Sequence, residues 1–581
     1  LTKNNYYIFS NGFYVTISLI ALVALLTPKL YKHYYYKIFA IITWFLLIGS
    51  LSQYFDSAFN GFSLPQRRWV YFLVLSTSGL IALYIYHLSE LTMKQFLFAA
   101  VPVFIGGLCR YIIADNFVDW MVIALIIIVV LGIFIYHKSL LKQPIIMLSL
   151  IVLFFGQQII MTHDSRQRTI DPYSTTINTL SDPSYYNDTI AKKIDSIKEH
   201  HDDPFHRIDY MSAYALNSPF LYHYNGISLY SSIFDGGILK YYDKLMQINM
   251  PVDKNSTYRF LGNRANLTAL WNVQDRLRHP EDQNMTYGFE KKDTILNGKN
   301  TLIHSKNMID YPSAHVTNHI YNSDDLKSPL DREQAMLKGI ILNDNSEKAN
   351  TSFKANKNLL NKSKMSTKDA TWKNQNHLKV HKDNGGVTLK LPESVANQYK
   401  DMYVEMDVEL LSPDKAHSVS VNEYSQNRNE LSYKYRRLVT PVTMRVKASD
   451  KLNIHLSKGN YRLSVKGIYG EDYSTLKKAS KELTPVKVKD MRNGYVVKKP
   501  KNATGYVILP TVYAKGMHAQ VDGKEVPVHQ ANGIMTAIPV NKGDKVIKLT
   551  YTPPQFYLLA IMSFIGIIGS ILFSLWVKKK R

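Results

Sequence analysis

The sequence predicts a polytopic α-helical membrane domain joined to a large region of mixed α/β and β-sandwich structure outside the membrane. Two observations carry this prediction: a contrast in composition along the chain, and a set of apolar runs of membrane-spanning length. Residues 1–162 and 555–581 are apolar and aromatic with few acids, whereas 163–554 is polar and rich in Asn, Lys, Tyr and Asp. The mean hydropathy of −0.16 is therefore an average over two compositions that suit two different solvents.

Seven apolar runs are long enough to cross a bilayer as helices, since about 20 helical residues span its hydrocarbon core. Six of them follow one another within 1–162, and the seventh precedes a basic tail. Three of the runs are interrupted by polar or small residues, which favours packing against other helices or around a polar cavity. These are Ser50 to Gln53, Gly106 with Gly107 and Arg110, and Gln157 with Gln158. The runs lie near residues 7–26, 38–55, 69–87, 95–113, 119–137, 145–162 and 556–577.

The distribution of Lys and Arg orients these spans, because cytoplasmic loops collect basic residues. Alternate connections, around residues 29–37, 94 and 138–142, carry Lys, as does the tail 578–581. Seven spans then place 163–554 outside the cell and the C-terminus in the cytoplasm. This placement excludes a function in binding intracellular nucleic acid.

The net positive charge of the chain indicates which kinds of partner it can bind. The formal net charge is +24, of which the membrane part holds +10 and 163–554 holds +14. A basic surface of this size favours anionic partners such as lipid head groups or phosphate-containing polymers.

The single cysteine, Cys109, lies in an apolar run, so no intrachain disulfide is available. The chain begins at Leu1 without an initiator Met or a signal peptide, and we therefore expect an earlier segment to precede it.

The outer region divides into four predicted parts. Residues 163–318 mix strand-like aromatic runs with helical pieces, which predicts an α/β or α+β domain. Residues 319–375 form a polar linker with a short helix from Glu333 to Leu342. Short alternating strands predict a β-sandwich over 376–505 and a small β domain over 506–554, which leads into the last span and the basic tail at 555–581.

The outer loop between the second and third spans contains residues suited to bind a lipid-linked phosphate. It runs from Asn60 to Trp69 and includes Arg67 and Arg68. A guanidinium presents a planar donor fork that matches phosphate oxygens, and Trp anchors a helix start at the interface. An alternative explanation of the same pattern is that the two arginines extend toward lipid head groups.

Asp56, at the outer end of the second span, is a candidate general base. The alternative is that it is a solvated residue at a helix end.

Aromatic and hydroxyl side chains in the outer region concentrate around a turn at 224–232. Asn60 of the outer loop, Tyr224, Asn225 and Tyr230 are candidates for binding a sugar or the acceptor, although a buried turn explains the pattern at 224–232 equally well. The adjacent His200 and His201 lack two further ligands at a suitable spacing, so no metal site is predicted. The sequence contains no nucleotide-binding or exposed nucleophile motif, which disfavours ATP-driven transport. No cofactor is evident, and the use of a divalent metal is left open.

Four segments, spread over almost the whole chain, carry a resemblance to a known family. They are Asn60 to Trp69, Tyr224 to Ser232, Ala269 to Val273 with Tyr287 to Phe289, and the closing stretch from Gly516 to Pro554. In these segments the chain resembles the YfhO family of bacterial polytopic membrane proteins, which is placed among the GT-C type glycosyltransferases. Met517 and Arg67 depart from the family pattern, which usually has Trp and a small polar residue at these positions.

The resemblance implies an enzyme of the bacterial plasma membrane that takes a sugar from an undecaprenyl-phosphate donor on the outer face. The sugar would be added to a cell-envelope polymer such as lipoteichoic acid, and an upstream polyprenyl-phosphate glycosyltransferase and a flippase would supply the donor. Arg68, helped by Arg67, would hold the carrier phosphate. GT-C enzymes usually carry the catalytic acid in the first outer loop, so the base is expected upstream of Leu1 and the visible spans in a larger bundle.

The alternative comes from a different class of protein. A non-catalytic membrane scaffold, or a transporter of a lipid-linked substrate, would also use interrupted spans and outer β domains that bind an envelope polymer.

Overall fold

The computed structural model describes residues 18–62, 69–113, 119–169, 186–210, 217–231, 233, 235–250, 256–282, 284–295, 301–343, 347–374, 376–433 and 436–580. The chain forms two compact units, Leu1–Thr179 and Leu180–Arg581. The described part of the first unit is helical, and the second contains the described strands.

The first unit is built from helices that follow the apolar runs of the sequence. They are α1 (Ile20–Leu25), α2 (Tyr34–Gly49), α3 (Gln53–Ala58), α4 (Val70–Tyr86), α5 (Met93–Ile113), α6 (Asp119–Tyr136) and α7 (Pro144–Thr169). Helix α2 packs against α4, α5 against α6 and α6 against α7, while α1 contacts α4, α5 and α6. Gln157, one of the polar interruptions, is fully buried and accepts a hydrogen bond from Ser18 Oγ at 3.2 Å. This interruption therefore faces protein.

The second unit begins with a mixed sheet covered by a helix. Its elements are α8 (Asp188–Glu199), β1 (Arg207–Tyr210), α9 (Ser218–Leu221), β2 (Leu229–Tyr230), α10 (Gly236–Lys240), β3 (Thr257–Tyr258), α11 (Ala265–Leu270), β4 (Val273–Arg278), β5 (Phe289–Ile295), β6 (Leu302–Asn307) and β7 (His315–Thr317). The sheet order is β1-β4-β6-β5, with β1 and β4 parallel and the other pairs antiparallel. Ile190, Ile194 and Ile197 form one apolar stripe of α8 that packs on Ile208 and Leu277 of the sheet. The described part of this region thus combines helices with a mixed sheet.

The predicted linker contains the helix α12 (Pro329–Lys338), which begins four residues earlier than the predicted range. Ser328 and Asp331 form a capping box, and Pro329 occupies the first turn, where its missing N–H is no loss. The capping residues therefore set the start of the helix at Pro329, whereas the apolar pattern placed it at Glu333.

Two packed sheets follow. The elements of this region are β8 (Lys364–Lys368), β9 (Ala370–Asn374), β10 (His377–Val380), β11 (Gly385–Lys390), α13 (Glu393–Ala396), β12 (Asp401–Ser412), β13 (His417–Val421), β14 (Tyr424–Arg428), β15 (Pro441–Lys447), β16 (Lys451–Leu456) and β17 (Gly459–Glu471). Two five-stranded sheets, β15-β12-β17-β10-β9 and β14-β13-β16-β11-β8, contribute to one apolar core. Val404, Met406 and Val408 of β12 alternate into this core, which is the period of a half-buried strand.

A second pair of sheets uses strands from distant parts of the chain. After α14 (Ser474–Glu482) come β18 (Thr484–Pro485), β19 (Lys487–Met491), β20 (Gly494–Lys498), β21 (Gly505–Val512), β22 (Met517–Val521), β23 (Lys524–Val526), β24 (His529–Ala531), β25 (Met535–Val540) and β26 (Val546–Tyr551). The sheets are β18-β7-β21-β25-β24 and β19-β20-β26-β22-β23, with a shared apolar core. Because β7 comes from residues 315–317, one sheet joins strands from both sides of the predicted boundary at 318. The division into domains stays a prediction.

The last helix, α15 (Phe556–Lys580), is long and apolar enough to cross a membrane, with a mean hydropathy of 2.4 over its most apolar window. Within the described residues it is the one helix that meets this length and composition. Shorter apolar helices lie at Tyr34–Gly49, Val70–Tyr86, Met93–Cys109, Val122–Tyr136 and Leu148–His163. A helix is thus present in each of the seven predicted runs, and membrane crossing by the first six stays a prediction.

A buried ion pair joins the mixed sheet region, α12 and the first sandwich. Arg264 Nη1 lies 3.2 Å from Glu333 Oε1, and neither side chain is exposed. Arg264 also donates to the Met246 carbonyl at 2.6 Å, while Glu333 Oε2 accepts from Tyr403 Oη at 2.8 Å and Asn266 Nδ2 at 3.2 Å. Burial raises the pKa of Glu333 to about 7. Such a pair is stable only while these hydrogen bonds replace the lost hydration.

Replacement of Arg264 by Leu should therefore lower the free energy of unfolding by about 3–5 kcal/mol, because Glu333 would keep its burial without its partner. Arg462→Leu is the matched control, since its pair with Glu409 is roughly half exposed and should be worth less than about 1 kcal/mol. Chemical denaturation of the chain in detergent, followed by tryptophan fluorescence, measures both changes. Equal losses in the two variants would contradict the role given to Arg264.

Candidate functional site

The candidate base Asp56 contacts Trp69, the last residue of the predicted phosphate-binding loop. Asp56 lies on α3, is 7% exposed, and accepts a hydrogen bond from Trp69 Nε1 at 2.7 Å. Phe55 and Phe59 pack around the indole, with ring centroids 5.1 Å and 6.1 Å from that of Trp69. Asn60 follows and is half-buried. The structure thus holds the candidate base against an aromatic cluster.

Arg67 and Arg68 lie outside the described residues, within the gap at 63–68. Their predicted contact with a carrier phosphate stays a prediction, as does the role of Asp56 as a base.

A cavity of about 360 Å³ lies in the second unit and contains the predicted sugar-binding turn. Two segments that carry the family resemblance, 224–232 and 269–273, both contribute to its wall. Strands and loops far away in sequence complete it. The lining residues are Arg207, Pro219, Phe220, 224–229, Ile238, Tyr242, Tyr258, Leu261, Trp271, Val512 and Ile534.

The turn at 224–229 is shaped by a close approach of two backbones. Gly226 forms a parallel bridge with Ile208 of β1, and a Cβ atom at Gly226 would lie 2.7 Å from Pro219 Cγ and 2.9 Å from Tyr224 Cε2. A side chain at this position would displace its neighbours. The Asn225 side chain donates to the Pro204 carbonyl at 2.8 Å, which ties the turn to the segment before β1.

Arg207 supplies a fixed positive charge at the cavity. Its Nη1 donates to the Trp271 carbonyl and its Nη2 to the Pro510 carbonyl, each at 2.8 Å. The guanidinium carbon lies 5.4 Å from the centroid of the Trp271 ring, within the range of a cation–π contact. The protein packed around it lowers the pKa of Arg207 to about 10, so Arg207 remains a cation at neutral pH.

Aromatic side chains form the rest of the wall. Trp271 Nε1 donates to Tyr241 Oη at 3.0 Å, and the Tyr242 and Tyr258 rings pack edge to face with centroids 5.0 Å apart. Burial raises the pKa of Tyr258 to about 12, so its hydroxyl is neutral and able to donate. Apolar rings with a few fixed polar groups are typical of a site for a small organic ligand, and the volume suits a sugar or a short polyol.

The structure brings two of the four sugar-binding candidates to this cavity. Asn60 lies in the first unit, and its predicted role stays a prediction. Tyr224 is buried, with its hydroxyl 2.9 Å from Ser218 Oγ, and Asn225 lies beside it. Tyr230 is 45% exposed and is not among the lining residues, and its predicted role stays a prediction.

The residues predicted from the sequence did not include Arg207, Tyr242, Tyr258 or Trp271, which also line the cavity. A signal existed for Trp271, because it lies inside the segment from Ala269 to Val273 that carries the family resemblance. Nothing in the local pattern distinguishes the two tyrosines from core residues.

Two groups of side chains among the described residues could hold a metal ion. One group is His33, His87 and Glu90, where Lys32 Nζ already lies 2.6 Å from Glu90. Hydrogen bonds from Lys32 and His87 lower the pKa of Glu90 to about 2. The other group is His201, His206 and Asp275. In the structure His201 thus lies close to His206 and Asp275, which the spacing of the histidines in the sequence did not indicate.

The structure combines a first unit of apolar helices with a β-rich second unit that contains the cavity and ends in the long apolar helix α15. A family model described as "Bacterial membrane protein YfhO" matches residues 1–563. The chain therefore belongs to the YfhO family, as its segments predicted.

The chain is 30% identical over 578 residues to "Uncharacterized protein YfhO" of Bacillus subtilis (strain 168), a match that covers 96% of this chain. The chain spans 65% of the length of that relative. Among solved structures, arabinofuranosyltransferase AftD from Mycobacteria matches 31% of this chain and 16% of its own, with 9% identity and a TM-score of 0.13. A second AftD structure gives a TM-score of 0.11 over 28% of this chain and 20% of its own, with 10% identity. Scores this low do not define a common fold.

Replacement of Gly226 by Ala should lower the free energy of unfolding by about 1–3 kcal/mol, because the new methyl group overlaps Pro219 and Tyr224. Gly236→Ala is the control, since a Cβ atom there would meet no atom within 4 Å. Chemical denaturation of the two variants measures the difference. An unchanged free energy of unfolding in Gly226→Ala would contradict the close packing of Gly226 against Pro219 and Tyr224.

Proposed function

We propose that this chain is part of a membrane glycosyltransferase that moves a sugar from an undecaprenyl-phosphate donor to an anionic cell-envelope polymer such as lipoteichoic acid. One observation carries the proposal: Tyr224 to Ser232 and Ala269 to Val273, both of which resemble the family, contribute to one cavity of about 360 Å³. Because the chain spans 65% of its relative, the proposed activity belongs to the whole protein.

The cavity is the proposed acceptor site. Its aromatic walls suit the carbon face of a sugar or polyol unit, and the cation of Arg207 suits the phosphate that joins such units. The net charge of +14 over 163–554 would attract the polymer over a longer range. Asn225 and the backbone of the turn would then orient the unit that receives the sugar.

The donor site is proposed in the membrane part. Arg68, helped by Arg67, would hold the carrier phosphate and stabilise the charge that develops on it. In the transfer, an acceptor hydroxyl oxygen bonds to the sugar C1, the C1–O bond to phosphate breaks, and the phosphate leaves with the bonding electrons. Asp56 is the candidate base for the hydroxyl proton, and a carboxylate elsewhere in the whole protein is the alternative.

The proposed location follows from the donor. A polyprenyl-phosphate sugar reaches an outer site only after synthesis and translocation, so a polyprenyl-phosphate glycosyltransferase and a flippase are proposed as functional partners. The basic connections at 29–37 and 138–142 support a plasma-membrane topology with 163–554 outside and the C-terminus inside.

The proposal predicts that Arg68→Ala lowers the sugar content of the polymer. The gene would be deleted, and the full-length protein restored as wild type, Arg68→Ala or Arg462→Ala, the last being an exposed arginine of the outer sandwich. Loss of a charge-assisted contact of about 1.5–3 kcal/mol should reduce transfer about 10- to 100-fold, with the Arg462 variant unchanged. Normal decoration by the Arg68 variant, at equal membrane abundance, would remove the role proposed for this residue.

Phe220→Ala tests the proposed acceptor cavity. Phe220 lines the cavity yet is 71% exposed, so its removal should leave the fold intact. A stacking contact of about 0.5–1.5 kcal/mol should raise the KM for polymer about 2- to 10-fold, with little change in the KM for donor. Leu438→Ala is the control, because Leu438 is 80% exposed and is not a lining residue. Equal kinetics in all three proteins would place the acceptor elsewhere.

One observation favours the second candidate function, a scaffold or a transporter of a lipid-linked substrate. Among the described residues that line the cavity there is no carboxylate or histidine to act as a base. The cavity could therefore retain a polymer without reacting with it. A scaffold or a transporter would leave the lipid-linked sugar intact, and thin-layer analysis of the donor lipid after incubation distinguishes these cases from transfer.

A further inference from the structure

Three side chains with metal-ligand atoms meet at one end of the mixed sheet. His201 follows α8, His206 precedes β1, and Asp275 lies on β4. The Nε2 atoms of His206 and His201 lie 2.7 Å and 3.7 Å from Asp275 Oδ2. All three potential ligand atoms lie within 4.8 Å of one another. The cluster therefore combines two imidazoles and one carboxylate from three separate segments.

The carboxylate of this cluster is held in place from behind. His304 Nε2 lies 2.7 Å from Asp275 Oδ1, and His304 Nδ1 lies 3.2 Å from Asp293 Oδ2. Lys193 Nζ in turn donates to Asp293 Oδ2 at 2.7 Å. Asp275 is 1% exposed and His304 6%. Hydrogen-bonded outer partners of this kind orient the ligands of metal sites, and here they direct Oδ2 toward the two other imidazoles.

The position of His201 is the observation that points to a metal. Two buried histidines, His206 and His304, already satisfy Asp275 with contacts of 2.7 Å each. His201 is not needed for that purpose, and its Nε2 lies too far from Oδ2 for a hydrogen bond. Its ring instead stacks on His206, with centroids 4.0 Å apart and planes at 12°. A third imidazole in this position adds a ligand, not a structural hydrogen bond.

An ion can reach this cluster from solvent. His201 and His206 line a cavity of about 850 Å³. Asn272 and Gln274 also line the cavity, and the Gln274 side chain donates a hydrogen bond to Asn272 Oδ1 at 2.8 Å. Four lysines and three aspartates also line the cavity, so its charges nearly balance; they are Lys292, Lys306, Lys487, Lys489, Asp202, Asp203 and Asp310.

We propose that His201, His206 and Asp275 bind one divalent transition metal ion of the zinc class, with the remaining coordination position open to the 850 Å³ cavity. Two imidazoles and one carboxylate are an established donor set for such ions. Bonds of about 2.0–2.2 Å require the ligand atoms of a tetrahedral site to lie about 3.3 Å apart. The His206–Asp275 contact would open slightly as the metal replaces the shared proton.

Metal binding to the full-length protein tests this proposal. The protein would be purified in detergent without a polyhistidine tag, treated with a chelator and titrated with Co²⁺, whose visible d–d bands report a tetrahedral site of nitrogen and oxygen ligands. Zn²⁺ loading, desalting and elemental analysis then give the stoichiometry. We expect one equivalent of metal and tetrahedral bands in the wild type.

Two neighbouring variants provide a matched comparison. His201→Ala removes a ligand that is only partly buried, and should weaken Zn²⁺ affinity at least about 10-fold without changing the melting temperature of the metal-free protein. His200→Ala alters an exposed histidine whose ring contacts the Ser196 carbonyl, and should bind as the wild type does. A wild type that retains no metal, or equal affinities in the two variants, would overturn the proposal. Glycosyl transfer is not part of either readout.

Discussion

The second unit depends on the burial of Arg264 and Glu333, an ion pair with no exposed surface. Each charge loses its hydration, and the protein replaces it with specific partners. Arg264 is held by the carbonyls of Met246 and Thr443, which belong to the mixed region and to β15. Glu333 of α12 accepts from Tyr403 of β12. The pair therefore forces three parts of the chain, far apart in sequence, into one arrangement, because any other leaves a buried charge unpaired.

This constraint reaches the proposed acceptor cavity through a short series of contacts. By holding the Met246 carbonyl, Arg264 holds the end of the helical turn that begins at Tyr241. Tyr241 accepts a hydrogen bond from Trp271, which follows α11 and forms part of the cavity wall. Arg207 donates to the Trp271 carbonyl and stacks over its ring. A polar pair outside the cavity thus positions the aromatic surface and the cation that would contact a polymer.

Helices, strands and turns that depend on local sequence patterns could be predicted from the sequence. Contacts between residues far apart in the chain could not. Alternation of apolar residues located strands such as β12 and β17, and apolar runs located the helices of the first unit. The turn containing Tyr224 and Asn225 was identified from its composition. In contrast, β7 pairs with β21 across almost 200 residues, and His201 meets Asp275 only because α8 packs across the sheet. Neither contact has a local signature, because each depends on how whole elements pack.

The proposed function requires the protein to break the bond between a sugar and its lipid phosphate. The direct measurement uses the purified full-length protein in proteoliposomes, with a polyprenyl-phosphate donor labelled in the sugar and a poly(glycerol phosphate) acceptor. Label is predicted to move from the lipid to the polymer, with release of the unlabelled polyprenyl phosphate. Retention of all label on the lipid, while the polymer binds to the protein, would contradict the account and identify a scaffold or a transporter.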